Sequence, residues 1–333
     1  MTVLVTGSAG HLGEGLMRVL SQRGEAVRGL DIQSSPFTSD TGSIVDREFV
    51  HRCMQGVSCV LHAATLHKPH VATHSRQDFI DTNITGTLNL MEEAVAAGVK
   101  TFVFTSTTSV FGDALVPPEG EPSAWITEEV TPVPKNIYGV TKLAAENLCA
   151  LFSRLHGLSC IVLRTSRFFP EEDDDSVARA AFDQTNAKAN ELTFRRVDIE
   201  DAISAHLLAM EKAREIGFCR YIISATTPFA QKDLAALRRN APAVLARRTP
   251  EFEAVYSRRG WRMFPSIDRV YVNSLAREEL GWRPVHDFQA VLKRLAAGGE
   301  LESELARAVG AKGYHTQTFA DGPYPVAEAP KRG

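Results

Sequence analysis

Short apolar, β-branched runs alternate with helix-patterned stretches through the first half of the chain. Val3-Leu4-Val5 reads as a strand. From His11 to Gln22 the apolar residues Leu12, Leu16, Val19 and Leu20 recur at helical spacing, and Gly24 is placed to terminate the helix. Ala26–Asp31, Cys59–His62, Phe102–Thr105 and Cys160–Leu163 read as further strands, with helical stretches near 83–97 and 138–156 between them. Strand runs with so little polar alternation suit a parallel sheet covered on both faces.

This alternation predicts an α/β fold, a Rossmann-type doubly wound parallel sheet. After Arg164 the pattern becomes irregular. Pro170 and the acidic run Glu171-Glu172-Asp173-Asp174-Asp175 read as a solvated loop rather than a metal site, a helical pattern returns over 195–211, and Tyr221-Ile222-Ile223 reads as another strand. The expected organisation is a Rossmann domain over 1–165 with 195–224 returning to it. A smaller C-terminal substrate lobe would be built from 166–194 and 225–300, with Tyr256, Trp261 and Phe264 in its core. The last segment, 301–333, is rich in Gly, Pro and Ala and reads as a loose tail.

Composition narrows the function classes. Of 333 residues 44% are hydrophobic and 23% charged, and the formal charge of −3 gives no reason to expect nucleic acid or an anionic membrane as partner. The five cysteines form no C-x-x-C pair and lie mostly in apolar runs, which suits reduced thiols in a cytoplasmic protein. No run approaches 18 consecutive apolar residues.

The chemistry sits at the strand ends. Thr6-Gly7-Ser8-Ala9-Gly10-His11-Leu12-Gly13 follows the first strand and opens a helix. Glycines at this spacing let backbone approach a pyrophosphate, and the helix N-terminus offers free N–H groups to the anion. Asp31 ends the second strand, where a carboxylate accepts ribose hydroxyls and repels a 2′-phosphate, favouring NAD over NADP. Tyr138 and Lys142, four residues apart, share a helix face, so the ammonium together with an oxidised, positively charged nicotinamide is expected to lower the phenol's pKa and make it a general acid/base. Thr105-Ser106-Thr107-Thr108-Ser109 places hydroxyls at a strand's C-terminal end, where open α/β sheets bind ligands. His62, His67, His70 and His74 crowd the loop after the fourth strand without a carboxylate at ligand spacing, so no metal is expected; His67, Lys68 and Thr108 are expected to line the substrate cleft. Arg167 is placed either to grip a phosphate or carboxylate or to pair with the 171–175 acids.

Taken in order, these residues resemble the extended short-chain dehydrogenase/reductase family, the NAD-dependent epimerase/dehydratase group, over roughly residues 1–300. The marks are T-G-S-A-G-H-L-G at 6–13, Asp31, L-H-A-A at 61–64, N-I-T-G-T from Asn83, F-V-F-T-S-T-T-S-V-F-G at 102–112, Y-G-V-T-K at 138–142, R-R-V-D-I-E-D-A at 195–202 and L-G-W-R-P at 280–284. The resemblance implies a catalytic triad of Thr107, Tyr138 and Lys142. It implies cofactor contacts from Gly7, Gly10, His11, Leu12, Gly13, Asp31, Ala63, Ala64 and Asn83 as well as Tyr138 and Lys142, NAD as cofactor, a carbohydrate-like substrate, and a homodimer formed through the helices near 83–97 and 138–156. Departures narrow the reaction. Thr107, Thr108 and Ser109 stand where sugar-nucleotide 4,6-dehydratases carry Thr-Asp-Glu, which argues against dehydration. Ser43 replaces an acid that often meets the adenine, and Arg167 replaces the Asn of R-x-x-N-x-x-G-P, so nucleotide-sugar specificity does not transfer directly. Three readings stay open: an epimerase acting at a secondary alcohol of a sugar or nucleotide sugar, a dehydrogenase/reductase of a sugar acid or other alcohol with net NAD turnover, and a non-catalytic NAD-binding sensor.

Overall fold

The computed structural model describes residues 2–171 and 176–313. The apolar runs become the strands of the sheet's interior. β1 (Thr2–Thr6) buries Val3, Leu4 and Val5 completely, as a strand covered on both faces must. α1 (His11–Gln22) follows Gly10 and turns Leu12, Leu16 and Leu20 onto the sheet. β2 (Ala26–Asp31), β3 (Asp40–Thr41), α2 (Arg47–Cys53) and β4 (Val57–His62) follow. The next crossover is one continuous helical run: α3 (Arg76–Ile80), a π-helical turn over Asp81–Thr85, and α4 (Gly86–Ala96). β5 (Thr101–Thr107), a small outlying strand β6 (Ala124–Ile126), α5 (Ile137–His156) and β7 (Ser159–Thr165) complete the first half. α6 (Ser176–Ala181) and α7 (Gln184–Glu191) then leave the sheet, and α8 (Ile199–Ile216) and β8 (Phe218–Ile223) return to it. Beyond come α9 (Leu234–Leu237), α10 (Ala241–Arg248), α11 (Phe252–Arg259), β9 (Arg269–Tyr271), α12 (Ser274–Glu279), α13 (Phe288–Ala296) and α14 (Glu304–Val309).

The main sheet has seven parallel strands in the order β3-β2-β1-β4-β5-β7-β8, and β6 pairs with β9 in a separate two-stranded ribbon. The chain reverses direction of travel across the sheet between β1 and β4, which opens a crevice at their C-terminal ends. One face is packed by α1 and α8, the other by α2, α4 and α5. A third core gathers Phe194, Phe229, Leu245, Phe252, Tyr256, Ile267 and Phe288, with Trp261 and Phe264 packed against it.

Two elements differ from their sequence reading. The helix expected from 195 starts at Ile199, because Asp198 accepts the Glu200 N–H and caps it, while Arg196 pairs in extended backbone with Arg167. Residues 301–313, read as the start of a loose tail, instead carry α14, whose Val309 is buried against the α1–α8 face. The expectations for Glu172–Asp175 and for 314–333 lie outside the described residues.

Two core histidines make stability pH-dependent. Burial holds His206 down at about 4 and His62 well below its usual value. A histidine whose folded pKa lies below its unfolded 6.5 costs nothing above that pH and withdraws stability as pH falls from there towards 4. His206 alone is expected to remove about 2 kcal/mol at pH 5 relative to pH 7. Urea unfolding at the two pH values checks this, and His206→Gln should flatten the slope.

Candidate active site

The glycine turn is shaped by close backbone contacts. Gly7 has φ +75°, and a Cβ there would stand 2.7 Å from the Ala64 nitrogen; a Cβ on Gly13 would stand 1.9 Å from the Gly7 carbonyl oxygen. Thr6 and His62 lock this turn to β4. The Thr87 hydroxyl donates to the Asn83 carbonyl at 2.7 Å, so it accepts from His62 Nε2 at 3.0 Å, leaving Nδ1 to accept the Thr6 hydroxyl at 2.7 Å. Thr6 Oγ1 in turn accepts the Ala64 N–H at 3.2 Å. At the end of β2, the Asp31 carboxylate accepts Ala9 N–H at 3.0 Å and Gln33 N–H at 2.9 Å, and each oxygen keeps a lone pair. A turn whose glycines bring backbone close to backbone, a helix N-terminus and a carboxylate beside it fit a dinucleotide with free ribose hydroxyls. Asp31→Ala is expected to weaken NAD binding about tenfold and to narrow the NAD/NADP preference, measured as the two dissociation constants.

Thr107 ends β5 and is paired in register with Thr165 of β7. Asn136 caps α5 by accepting the Gly139 N–H at 3.0 Å, so Tyr138 lies in the first turn and Lys142 one turn further in. Both side chains are buried. Burial pushes the Tyr138 phenol up to about 12, moderated only by its hydrogen bond with Thr107. The Lys142 ammonium donates to the Thr105 carbonyl at 2.6 Å and lies 4.1 Å from the centre of the Phe104 ring, and burial draws it down to about 7. Without the cofactor's positive ring charge, burial dominates and favours the neutral phenol.

One cleft of about 1140 Å³ joins these parts. Its walls include Gly7, Gly10, His11, Leu12, Gly13 and Ala63 at one end and Thr107, Thr108 and Tyr138 at the centre. The walls also include His67, Lys68 and Arg167, with Arg195, Arg269, Phe168, Phe169 and Tyr271 added by the fold. His67 lies with its ring 6.2 Å from that of Tyr138, and burial holds it well below its usual pKa. Asn83 does not line the cleft. Its amide is saturated, accepting from Thr65 Oγ1 and Leu66 N and donating to the Leu66 carbonyl and Thr141, so it pegs the loop after β4 instead. Lys142 is likewise buried behind the cleft wall, whereas Ala64 and Asp31 are half-buried beside the glycine turn. Arg167 lies 3.9 Å from Glu191, a carboxylate also paired with Arg195 at 2.7 Å and Arg196 at 3.1 Å; of the acidic run that sequence offered as its partner, Glu172–Asp175 lie outside the described residues. Glu191 is thus shared by three guanidinium groups, two of them from the cleft wall.

His11, inside the glycine turn, donates from Nε2 to Glu171 at 2.9 Å. Arg269 is a wall residue that sequence reading missed; it sits on β9, far along the chain from the strand ends that carry the motifs, with no local motif to mark it.

Comparison with known proteins agrees with this geometry. The model of the NAD dependent epimerase/dehydratase family matches residues 3–220. The chain is 30% identical over 226 residues to sterol demethylase protein B of Methylococcus capsulatus, covering 64% of this chain and 66% of that one. It is 33% identical over 168 residues to UDP-glucose 4-epimerase of Erwinia amylovora, covering 44% and 47%. The matched region is thus under two-thirds of either relative's length. Among solved structures, a short-chain dehydrogenase/reductase superfamily protein from Agrobacterium tumefaciens with bound NAD superposes with a TM-score of 0.65 at 22% identity, over 92% of this chain and 97% of that one. UDP-glucose 4-epimerase of Thermotoga maritima with UDP-glucose gives 0.63 at 23%, over 92% and 99%. These structures share the fold. The chain belongs to the NAD dependent epimerase/dehydratase family, and NAD is its cofactor.

Proposed function

We propose that this enzyme moves a hydride between NAD and a secondary alcohol of a sugar or nucleotide sugar, with Tyr138 as general acid/base. The observation that carries this is the single cleft with the glycine turn at one end and the Thr107–Tyr138 pair at its centre. NAD, when bound, supplies the hydride acceptor and a positive ring charge. In oxidation Tyr138 takes the carbinol proton while the carbon–hydrogen bond breaks, and in reduction it returns that proton. Thr107 orients the reacting oxygen. To act as base near neutrality the phenol must come down from about 12 by roughly five units, about 7 kcal/mol. Lys142 is the protein cation placed to contribute.

The epimerase reading has the named UDP-sugar relatives behind it. Dehydrogenation of a sugar acid is the second reading, favoured by Arg167, Arg195 and Arg269 in the cleft wall, whose guanidinium groups suit a carboxylate. NAD-loaded protein challenged with UDP-glucose, UDP-galactose, UDP-glucuronic acid and free uronic acids separates the two. Stereochemical inversion without NADH build-up supports the first, and stoichiometric NADH supports the second. Bound NAD with neither outcome across the panel would count against both. A homodimer is also proposed: α5 exposes Val140, Leu151 and Leu155, a stripe for a partner's helices, and light scattering should return twice the chain mass.

A further inference from the structure

Tyr138, Lys142 and Glu146 lie four residues apart, on one stripe of α5. The last three residues of β5 meet them one for one. Thr107 bonds the Tyr138 phenol, the Thr105 carbonyl takes the Lys142 ammonium at 2.6 Å, and the Ser106 hydroxyl donates to Glu146 at 2.6 Å. Glu146 is wholly buried. It also accepts Arg164 through Nε at 3.1 Å and Nη2 at 2.8 Å, and Arg220 through Nε at 3.1 Å. Apolar residues fill such space at no desolvation cost, so a buried carboxylate clasped by two guanidinium groups calls for a reason beyond stability. We propose that Glu146 is a positioning residue for hydride transfer: it anchors the end of β5 through Ser106 and keeps Lys142 cationic behind Tyr138. This rests on the acid/base reading of Tyr138 and Lys142 given above.

The surroundings single out Glu146 as the source of that charge support. The ionisable groups facing Lys142 are His62 at the end of β4, His67 in the loop beyond, and Tyr138, Glu146 and Cys149 on α5. Burial keeps both histidines neutral and pushes the Tyr138 phenol and the Cys149 thiol up, so both of these stay protonated. Around Glu146 stand Arg164 on β7, Arg220 on β8, Ser106 on β5 and, beyond Cys149, Cys160 on β7. Cys149 and Glu146 are the two side chains on α5 that favour the Lys142 ammonium against the pull of burial, and since the Cys149 thiol stays protonated, the carboxylate clasped by Arg164 and Arg220 is the one left to carry charge.

The test reads Lys142 directly, by NMR titration of isotopically labelled lysine with the resonance assigned through Lys142→Met. Glu146→Gln is expected to lower the Lys142 midpoint by about one pH unit, a tenfold loss of ammonium at fixed pH. Glu146→Asp should restore most of it. Arg220 is partly exposed, and Arg220→Met leaves the carboxylate less neutralised, so it should raise the midpoint even if Glu146→Gln does not fold. A purely structural Glu146 would change melting temperature and leave the Lys142 midpoint alone; an unmoved midpoint in the folded variants overturns the proposal. Because the titration needs no turnover, it fails or succeeds independently of the reaction: hydride transfer that survived Tyr138→Phe would sink the acid/base reading while leaving this charge effect intact.

Discussion

Tyr138→Phe lowers hydride transfer by roughly a hundred- to ten-thousandfold and leaves NAD affinity unchanged, because the phenol's role is to carry a proton and its ring remains in place. The substitution is close to isosteric, and Tyr138 is already buried with its hydroxyl facing Thr107, so packing loss contributes little. Single-turnover reduction of bound NAD by the active member of the sugar panel reads the chemical step, and NAD fluorescence titration reads binding. If Tyr138 only filled space, phenylalanine would be nearly silent in both. A parallel loss of affinity and rate would point to a damaged crevice.

The second large effect falls at the opposite end of the cleft. Gly13→Ala puts a methyl group 1.9 Å from the Gly7 carbonyl oxygen and 2.6 Å from its carbon, both backbone atoms of the turn itself. Neither can rotate away as a side chain would, so the turn must open. An overpacking cost of about 3 kcal/mol taken from the bound state is a loss of roughly a hundredfold in NAD affinity. Calorimetric titration with NAD checks the size. Thermal unfolding should show a smaller loss, since the sheet beneath is held by its own core. A variant that binds NAD normally would remove the glycine turn from the cofactor site.

Much of the sheet was legible because local signals and tertiary demand agree there. α1 runs from His11 to Gln22 and β2 from Ala26 to Asp31, the bounds that the helical spacing, the Gly24 terminator and the apolar run indicate. The order of elements followed from strands without polar alternation, which tolerate only a double-sided sandwich of helices. Where local and distant forces compete, the reading drifted. The 195–211 pattern includes apolar Val197, but that residue's N–H is taken by the Arg167 carbonyl at 3.0 Å, and the helix waits for the Asp198 cap. α14 is hidden by a Gly- and Pro-rich surrounding composition, although Leu305, Ala306 and Val309 pack on the sheet domain.

The site divides the same way. Residues adjacent in sequence or on one helix turn, such as Gly7 to Gly13 and Tyr138 to Lys142, are visible as spacing. Groups that meet only through the fold are not. Asn83 carried a motif, yet its four hydrogen bonds to Thr65, Leu66 and Thr141 turn it inward as a peg. The Ser106–Glu146 bond spans 40 residues, and the guanidinium groups that share Glu146 come from two further strands. The effect of burial on the phenol and the ammonium was likewise unreadable from spacing, since it depends on what the fold packs around them.

A crystal structure of the NAD complex tests the central claim most directly. If the cleft works as described, the pyrophosphate lies on the Gly7–Gly13 turn and the nicotinamide reaches the centre of the cleft, leaving room for a carbinol oxygen about 3 Å from the Tyr138 hydroxyl. A nicotinamide directed away from Tyr138 and Thr107, with well-ordered density, would contradict it.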